Sequence, residues 1–338
     1  MVTTNLVREL IYRPIPEKLW HYTSTQGFHG IVSSGNIYAT DVRFLNDREE
    51  FVHARKMADD LVADSLEFGK NHFPLREHLR SVVDFAFKTD FLDPNQAQIF
   101  VASFSDSEDD LSQWRGYSHG TSGVSISFDL RNHRPSEESD TAVTFAPCVY
   151  EDAKKKALIH YSLQHFIDEI EGEWSQGAEL FFKQLGSSKT KPSSAQILEF
   201  SLAVFSRPTL QARLKQALIE TRKNILRITA LLKHRAFHHE REWRFVLPLS
   251  PGKNKTFLDN PIRFRSVNRS RIPYISHRLA ILRLRQVPEA YDQLVFPVND
   301  LIIGPESTSG DLKDAQTFLR AQGFDLTPRK SDIPFRNT

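Results

Sequence analysis

Apolar and polar residues alternate in several short stretches of the chain, and this pattern is typical of half-buried β-strands. It is clearest over residues 123–128, where Val124, Ile126 and Phe128 alternate with glycine and serines. Similar stretches rich in β-branched and aromatic residues predict further strands over residues 19–23, 36–41, 98–105, 142–150 and 295–303. The chain therefore contains enough short strands for a sizeable sheet.

Other segments show helical periodicity, and their ends carry helix signals. Ser24 or Thr25 is a candidate cap for a helix over 26–33, and Gly35 would end it. Asn46 or Asp47 is placed to cap a second helix. Helices are predicted over most of 48–90 with a break near Pro74, over 157–185, over 196–234 with a break at Pro208, and over 311–322. The pattern predicts an α+β fold in a single domain, residues 1–338, with a helical insertion at about 152–237.

Residues 238–247 read as a strand that begins polar and ends apolar. Side chains alternate between the two faces of a strand, so Glu240, Glu242 and Arg244 would share one face. Trp243 and its apolar neighbours would pack into a core from the other face. Two carboxylates at one strand entrance repel each other, which favours a chemical role for the pair. The alternative is a surface cluster neutralised by Arg241 and Arg244.

Composition and charge narrow the class of protein. The 338 residues are 40% hydrophobic and 25% charged. The net charge is only +2, so the overall charge does not indicate binding to a polyanion or to a membrane surface. The single cysteine, Cys148, excludes an internal disulfide and a cysteine-rich zinc site, which favours a cytoplasmic setting. No apolar run reaches the roughly 18 residues of a membrane helix. No secretion signal is expected at the N-terminus, and no phosphate-loop or dinucleotide-binding glycine motif is present.

A set of motifs runs through nearly the whole chain, and over that length the chain resembles a widespread bacterial family of unknown function. The motifs are His21-Tyr22-Thr23, Leu45-Asn46-Asp47 with Glu50, Ser103-Phe104-Ser105, Trp114 with Tyr117, Gly123 to Phe128, Glu240-Arg241-Glu242-Trp243-Arg244, and Ser331 to Arg336. The family name implies no function.

The order of three of these motifs resembles the ADP-ribosyltransferase superfamily. There, a first strand carries His or Arg, a middle strand carries Ser-x-Ser or an aromatic residue, and a late strand begins with a catalytic Glu. His21, Ser103-Phe104-Ser105 and Glu240-Arg241-Glu242 match this order, although the set mixes two subclasses. The resemblance implies a split, mostly antiparallel sheet with flanking helices.

The resemblance also implies NAD as the substrate and assigns roles. Cleaving the nicotinamide–ribose bond gives an oxocarbenium-like transition state, which the Glu242 carboxylate would stabilise while Glu240 orients or deprotonates the acceptor. An aromatic face would hold the cationic nicotinamide. The implied cofactor-binding residues are His21, Tyr22, Thr23, Tyr38, Ser103, Ser105, Trp114 and Tyr117. No resident metal is implied.

The acceptor is open between nucleic acid and protein, and a basic run tilts the expectation to nucleic acid. Residues 263–285 contain seven arginines and no acidic residue. The substrate-side candidates are Asp47, Arg244, Arg263, Arg265, Arg269 and Arg271. A bacterial toxin or defence effector is the biological role that such an activity implies by analogy. The sequence leaves the oligomeric state open.

Two other classes of function fit the same residues. A magnesium-dependent nuclease or phosphohydrolase would use the carboxylates of Asp41, Asp47, Glu50, Glu240 and Glu242 as oxygen ligands. A binding module without chemistry would use the helical insertion as its partner surface. Structural roles are open as well: His21 and Trp114 as core residues, the serines as the polar side of a strand, Asp47 and Glu50 as a helix cap, and the arginines as a solvated face.

Overall fold

The computed structural model describes most of the chain. The described ranges are residues 9–10, 13–45, 48–64, 73–87, 98–117, 123–131, 144–184, 208–249, 262–267, 270–279, 281–283 and 293–334. Side chains are described in these ranges except at 48–49, 73–78, 169–184, 267, 281–283 and 293–295.

Most of the described helices lie in ranges for which the sequence predicts helices. They are α1 Thr25–Ser34, α2 Arg48–Ala63, α3 Phe73–Phe87, α4 Leu111–Tyr117, α5 Asp152–Gln184, α6 Pro208–Thr229 and α7 Ser309–Ala321. Two 3₁₀ helices cover Val42–Phe44 and Arg235–Glu240. The Ser24 hydroxyl caps α1 by accepting from the backbone N–H of Gly27, and Gly35 ends it in a left-handed conformation with φ 68°. The predicted linker at 186–194 lies outside the described residues.

The chain divides into two compact units. The helical unit is drawn from residues 47–93 and 151–232 and contains α2, α3, α5 and α6. In α5, the buried residues Lys155, Leu158, Ile159, Ser162 and Leu163 recur at helical spacing, so one stripe of this helix packs inward. The predicted insertion at 152–237 thus falls largely in this unit, together with the helices of 48–87. The single-domain interpretation stays a prediction.

The sheet unit is drawn from residues 8–46, 94–150 and 233–338. Its strands are β1 Leu19–Ser24, β2 Asn36–Asp41, β3 Gln98–Ser105, β4 Gly123–Phe128, β5 Thr144–Pro147, β6 Glu242–Leu249, β7 Ile262–Val267, β8 Ser270–Arg278, β9 Ile281–Arg283, β10 Gln293–Val295, β11 Val298–Ile303 and β12 Arg329–Lys330.

Ten of these strands form one sheet, and its pairings are antiparallel except between β11 and β12. The order is β12-β11-β4-β1-β3-β2-β8-β7, while β6 pairs with β3 and β5. The prediction of an α+β fold with a mostly antiparallel sheet is therefore confirmed.

Strand β3 is where the sheet divides. One edge of β3 pairs along its whole length with β6. The other edge is shared: β1 pairs only through Trp20 with Ser105, and β2 pairs through Thr40 with Val101 and Asp41 with Phe100. The backbone of residues 102–104 faces the opening between β1 and β2, which we call the split.

The two faces of the sheet differ in chemistry. One face, which we call the core face, carries Phe104, Trp243 and Phe245 within the main hydrophobic core. Residues directly opposite each other in antiparallel strands project to the same side. Register therefore places Ser103 with Arg244, and Ser105 with Glu242, on the other face, which we call the charged face. The prediction that residues 243, 245 and 247 pack into a core is confirmed.

Strands β7 and β8 form an antiparallel hairpin where the sequence indicated only a basic run. Pairing of β8 with β2 attaches this hairpin to the sheet, and β7 is the terminal strand on that side. Arg263, Arg265, Arg271 and Arg278 therefore lie on this strand pair. In the described part of the chain, no helix is long and apolar enough to span a membrane.

Candidate functional site

Glu242 begins β6 and is held in the sheet unit from several sides. Its backbone carbonyl accepts from the N–H of Cys148 at 2.8 Å, and its N–H donates to the Tyr150 hydroxyl at 3.0 Å. Its side chain lies on the charged face and is only 5% exposed. A buried carboxylate needs charged partners to offset its loss of hydration.

Two cations supply that compensation. Arg244 Nε donates to Oε1 of Glu242 at 2.8 Å, and Arg244 Nη2 donates to Oε2 at 3.2 Å. Lys233 Nζ donates to Oε2 of Glu242 at 2.6 Å and to Oε2 of Glu240 at 2.6 Å. We call Lys233, Glu240, Glu242 and Arg244 the ion cluster. Its formal charges, two positive and two negative, cancel.

Electrostatics keep Glu242 ionised. Burial acts to raise the pKa of this carboxyl, but the charges and hydrogen bonds of Arg244 and Lys233 outweigh burial and lower the pKa to about 2. Burial acts to lower the pKa of Lys233, yet the attraction of Glu242 leaves that pKa raised. Glu242 is therefore an anion at any ordinary pH, and it is a poor proton acceptor.

The strand that the sequence predicted to start at residue 238 begins only at Glu242, so that boundary was wrong. Residues up to Glu240 form the 3₁₀ helix, and Arg241 turns the chain with φ 43°, a left-handed conformation uncommon outside glycine. Arg241 Nε contacts the Asp106 carboxylate at 2.9 Å across this turn. Glu240 therefore does not share a strand face with Glu242, although Lys233 still joins the two carboxylates.

Ser105 supports this turn. Its hydroxyl donates to the carbonyl of Glu240 at 2.7 Å and accepts from the N–H of Ser107 at 3.0 Å. Ser103 lies opposite Arg244 in the β3–β6 ladder. The two serines thus lie beside the ion cluster, with Ser105 bracing the backbone just before Glu242.

His21 lies at the split. Its Nδ1 is 2.9 Å from the carbonyl of Ser103, to which it must donate because a carbonyl only accepts. The ring also contacts Phe104 at a centroid distance of 5.7 Å. Burial lowers the pKa of His21, the bond to Ser103 opposes this, and the charge of Arg265 lowers it further. The register puts Trp20, not His21, on the charged face with Glu242.

Tyr22 and Trp114 are core residues. For Trp114, this agrees with the alternative that its ring packs in the core and does not hold a ligand. They pack edge to face at a centroid distance of 4.9 Å. The Tyr22 hydroxyl donates to the Ser107 carbonyl, and the Trp114 ring N–H donates to Asp109 at 2.6 Å. Neither ring is open to a ligand, since Tyr22 is 5% and Trp114 is 1% exposed.

Tyr117, at the end of α4, is one of the aromatic side chains beside the ion cluster, as are Tyr150 and Phe237. It is half-buried. Burial and then the charge of Glu242 raise its pKa to about 12; Glu240 adds to this rise, while Lys233 and Arg244 oppose it. Its hydroxyl therefore stays protonated and can donate a hydrogen bond near the carboxylates.

The other predicted binding residues lie elsewhere or outside the description. Tyr38, Arg263 and Arg265 occupy the charged face of β2 and β7 by register, and Arg271 occupies the core-face side of β8. Thr23 is half-buried in β1, against Gly27 at the start of α1. Asp47 and Arg269 lie outside the described residues.

Among the described residues of the sheet unit, the carboxylates proposed as magnesium ligands are engaged by basic side chains. Asp41 is fully buried and makes an ion pair with Arg43. Glu50 belongs to α2 in the helical unit, while Glu240 and Glu242 share the Lys233 ammonium. Across the described residues, no group of three or more His, Cys, Asp or Glu side chains is arranged to hold a metal ion.

Lys233 is the cluster residue that sequence reasoning missed. It follows the helical unit and is only 4% exposed, so it is a buried lysine. Its backbone N–H donates to the carbonyl of Val149, which fixes it beside the sheet. Its separation of seven and nine residues from the two carboxylates matches no local motif, so only the fold reveals the contact.

Comparison with known proteins gives one match. No curated protein and no solved structure matches the chain significantly, so the likeness to ADP-ribosyltransferases stays a prediction. Residues 113–245, which include Trp114, Tyr117 and the whole ion cluster, match a family described as "Protein of unknown function (DUF2971)". Over these residues, the resemblance to a family of unknown function is confirmed.

Proposed function

We propose that the protein is an ADP-ribosyltransferase-like enzyme that cleaves the nicotinamide–ribose bond of NAD. The observation that carries the proposal is the side-by-side order of β6, β3 and β1. These strands bear Glu242, Ser103 with Ser105, and His21. The three motifs come from distant parts of the sequence. The pairing of their strands puts Ser103 and Ser105 on the face of Glu242, while His21, on the neighbouring strand, projects to the other face.

The chemistry of the cluster suits a reaction that develops positive charge. When the bond between the ribose and nicotinamide breaks, its electron pair passes to the nicotinamide ring and the ribose becomes cationic. A fixed anion in a water-poor site stabilises such charge more than it would in water. Glu242 remains anionic at neutral pH, because its pKa is about 2.

Glu240 is the carboxylate better placed to touch a substrate. Its side chain is 14% exposed, against 5% for Glu242. Lys233 occupies one oxygen of Glu240, whereas both oxygens of Glu242 accept hydrogen bonds. We therefore assign to Glu240 the ribose hydroxyl contact and the removal of the acceptor's proton, and to Glu242 the fixed charge that holds Lys233 and Arg244 in place.

Tyr117 completes the proposed site, and His21 supports β3 from the other face of the sheet. The half-buried Tyr117 ring is suited to lie under the cationic nicotinamide, where a cation–π contact contributes about 0.5–2 kcal/mol. His21 donates through Nδ1–H to the Ser103 carbonyl from the face opposite Glu242, and there it holds the backbone of β3 beside the split. The molecule that accepts ADP-ribose then bonds to the ribose carbon from which nicotinamide left. The proton of its attacking group passes to Glu240.

The test is release of nicotinamide from NAD labelled in that ring, by the purified protein and by the Glu240→Gln and Tyr117→Ala variants. Release should fall at least about a hundredfold in Glu240→Gln, a typical loss when a general base is removed. Glu306→Gln is the matched control, because Glu306 is a half-buried glutamate outside the cluster. Release that is equal in all four proteins, or absent from the parent with every acceptor supplied, would contradict the proposal.

A further inference from the structure

A second surface on the charged face combines aromatic rings with arginines. Tyr38 of β2 packs against Tyr274 of β8, with ring centroids 4.3 Å apart and planes inclined by 34°. Tyr38 remains 48% exposed, which is unusual for a large aromatic side chain in a strand. The pair therefore presents a ring to solvent from two paired strands of the sheet.

Arginines flank this pair. Register places Arg263 directly opposite Tyr274, and Arg278 lies two strand positions beyond Ser276, the partner of Tyr38. Arg265 Nη2 donates to the Thr40 hydroxyl at 3.0 Å, which fixes its guanidinium on the same face. We call Tyr38, Tyr274, Arg263, Arg265 and Arg278 the tyrosine–arginine surface.

No acidic residue of β2, β7 or β8 balances these charges on that face. The sole carboxylate in the three strands is Asp41, which register places on the core face opposite Phe100, and it is fully buried against Arg43. Of the ion pairs found in the described part of the chain, none involves Arg263, Arg265 or Arg278. Within these three strands, the face thus carries positive charge without a carboxylate beside it, around an exposed ring.

We propose that the tyrosine–arginine surface binds single-stranded nucleic acid, with a base stacked on Tyr38 and phosphates held by Arg263, Arg265 and Arg278. Every base has a π-face that can stack on an aromatic ring, and this contact tolerates any sequence. In a duplex the bases are already stacked on each other, so an exposed tyrosine on a sheet gains that contact only from an unpaired strand.

This inference extends the proposed function by naming single-stranded nucleic acid as the acceptor of ADP-ribose or as a partner that guides the enzyme to it. Its test is independent of NAD cleavage. Binding is measured without NAD, so failure to release nicotinamide leaves the binding result intact. The reverse also holds, because NAD cleavage with water as acceptor does not require this surface.

The experiment is fluorescence anisotropy of a labelled 12-nucleotide thymidine strand titrated with the full chain, at several salt concentrations. Tyr38→Ala should weaken binding about tenfold, the scale of one base–aromatic stack. Arg263→Ala should lower the slope of log K against log salt by roughly 0.7, the value for one phosphate contact in a single strand.

Phe264 provides a matched control. It neighbours Arg263 and Arg265 in β7 but points to the opposite face, and it is 65% exposed. Phe264→Ala removes an exposed aromatic ring from the same strand and should leave affinity within about twofold, because it lies away from the stacked base. All three variants are at exposed positions, and equal melting temperatures would show that they remain folded.

Three results would overturn the inference. One is absence of binding at low salt. Another is equal affinity for Tyr38→Ala and the parent protein. The third is tighter binding to a duplex of the same length than to the single strand, which would show that phosphates alone are recognised.

Discussion

The ion cluster and the tyrosine–arginine surface differ in how their charges are paired and in how deeply they are buried. In the ion cluster, Lys233 and Arg244 are each within hydrogen-bonding distance of a carboxylate, and every member is largely buried. On the tyrosine–arginine surface, Arg263 lies on an exposed strand beside an exposed tyrosine, with no carboxylate on its face of β2, β7 and β8. Glu242, Arg244 and the tyrosine–arginine surface lie on the charged face, but β7 is the terminal strand of the sheet, whereas β6 pairs with β3 and β5 on its two sides.

The comparison shows how pairing and burial decide what a charge can do. Buried charges that neutralise one another hold their side chains in a fixed arrangement. Removing one of them leaves its partners uncompensated. Unpaired charges in water contribute little to the stability of the fold, so a ligand can bind them without disrupting an existing ion pair. The ion cluster is therefore expected to govern stability as well as chemistry, and the tyrosine–arginine surface to govern binding alone.

Glu242→Gln should give the largest change in stability. The substitution keeps the shape of the side chain but leaves Lys233 and Arg244 short of one negative charge in a buried site. Breaking a buried ion pair in this way costs about 3–5 kcal/mol. Urea unfolding of the variant beside the parent protein measures this loss.

Glu240→Gln and Glu306→Gln calibrate that result. Glu240 is more exposed than Glu242 and shares only Lys233, so its loss should cost about 1–2 kcal/mol. Glu306 lies outside the cluster and should cost less than about 0.5 kcal/mol. Equal losses at Glu242 and Glu306 would show that the buried cluster does not stabilise the fold.

Acid should weaken the protein through the same carboxylate. The folded state holds the pKa of Glu242 at about 2, against an ordinary value of 4.5, so between these limits the unfolded chain binds more protons. The stability that Glu242 contributes is present above about pH 4.5 and is lost as pH falls towards 2. Thermal melting across this range should fall more steeply for the parent protein than for Glu242→Gln, and parallel curves would contradict the assignment.

Helix caps and short alternating patterns in the sequence predicted the elements whose bounds depend on nearby residues. Ser24 and Gly35 mark the ends of α1, and the capping box of Thr308 with Asp311 begins α7 near the predicted residue 311. The alternation of Val124, Ile126 and Phe128 predicted β4 correctly. These features depend on neighbours within four residues, which a sequence displays directly.

Features that depend on distant contacts were missed. The β7–β8 hairpin was interpreted only as a basic run, because its arginines on the edge strand obscure the apolar alternation. The turn at Arg241 lacks glycine, and it is stabilised by Asp106 and Ser105 from more than 130 residues away. Lys233 binds both carboxylates without any motif. The candidate glutamates were found from sequence, while their partners required the fold.

Ser105→Ala should have an intermediate effect, because it breaks a link between β3 and the turn that precedes Glu242. The Ser105 hydroxyl makes two backbone hydrogen bonds, to Glu240 and from Ser107. Leaving buried backbone groups without partners costs about 1–3 kcal/mol. Urea unfolding measures the cost, and Ser276→Ala, on exposed β8, is the control with an expected change near zero. A neutral Ser105→Ala would mean that the turn holds without this brace.

Arg263→Met should have the smallest effect on stability and is the sharpest test of the contrast between the regions. Its guanidinium is in water with no acidic partner on its face, so the change in unfolding free energy should stay within about 0.5 kcal/mol. The same substitution at the buried Arg244 removes a hydrogen-bonded partner of Glu242 and should cost about 3 kcal/mol or more. Residue type and substitution are identical in the two variants, so urea unfolding isolates the effect of pairing and burial. Similar losses at both positions would mean that Arg263 has a structural partner, and the tyrosine–arginine surface would then be part of the folding core and not a surface free to bind.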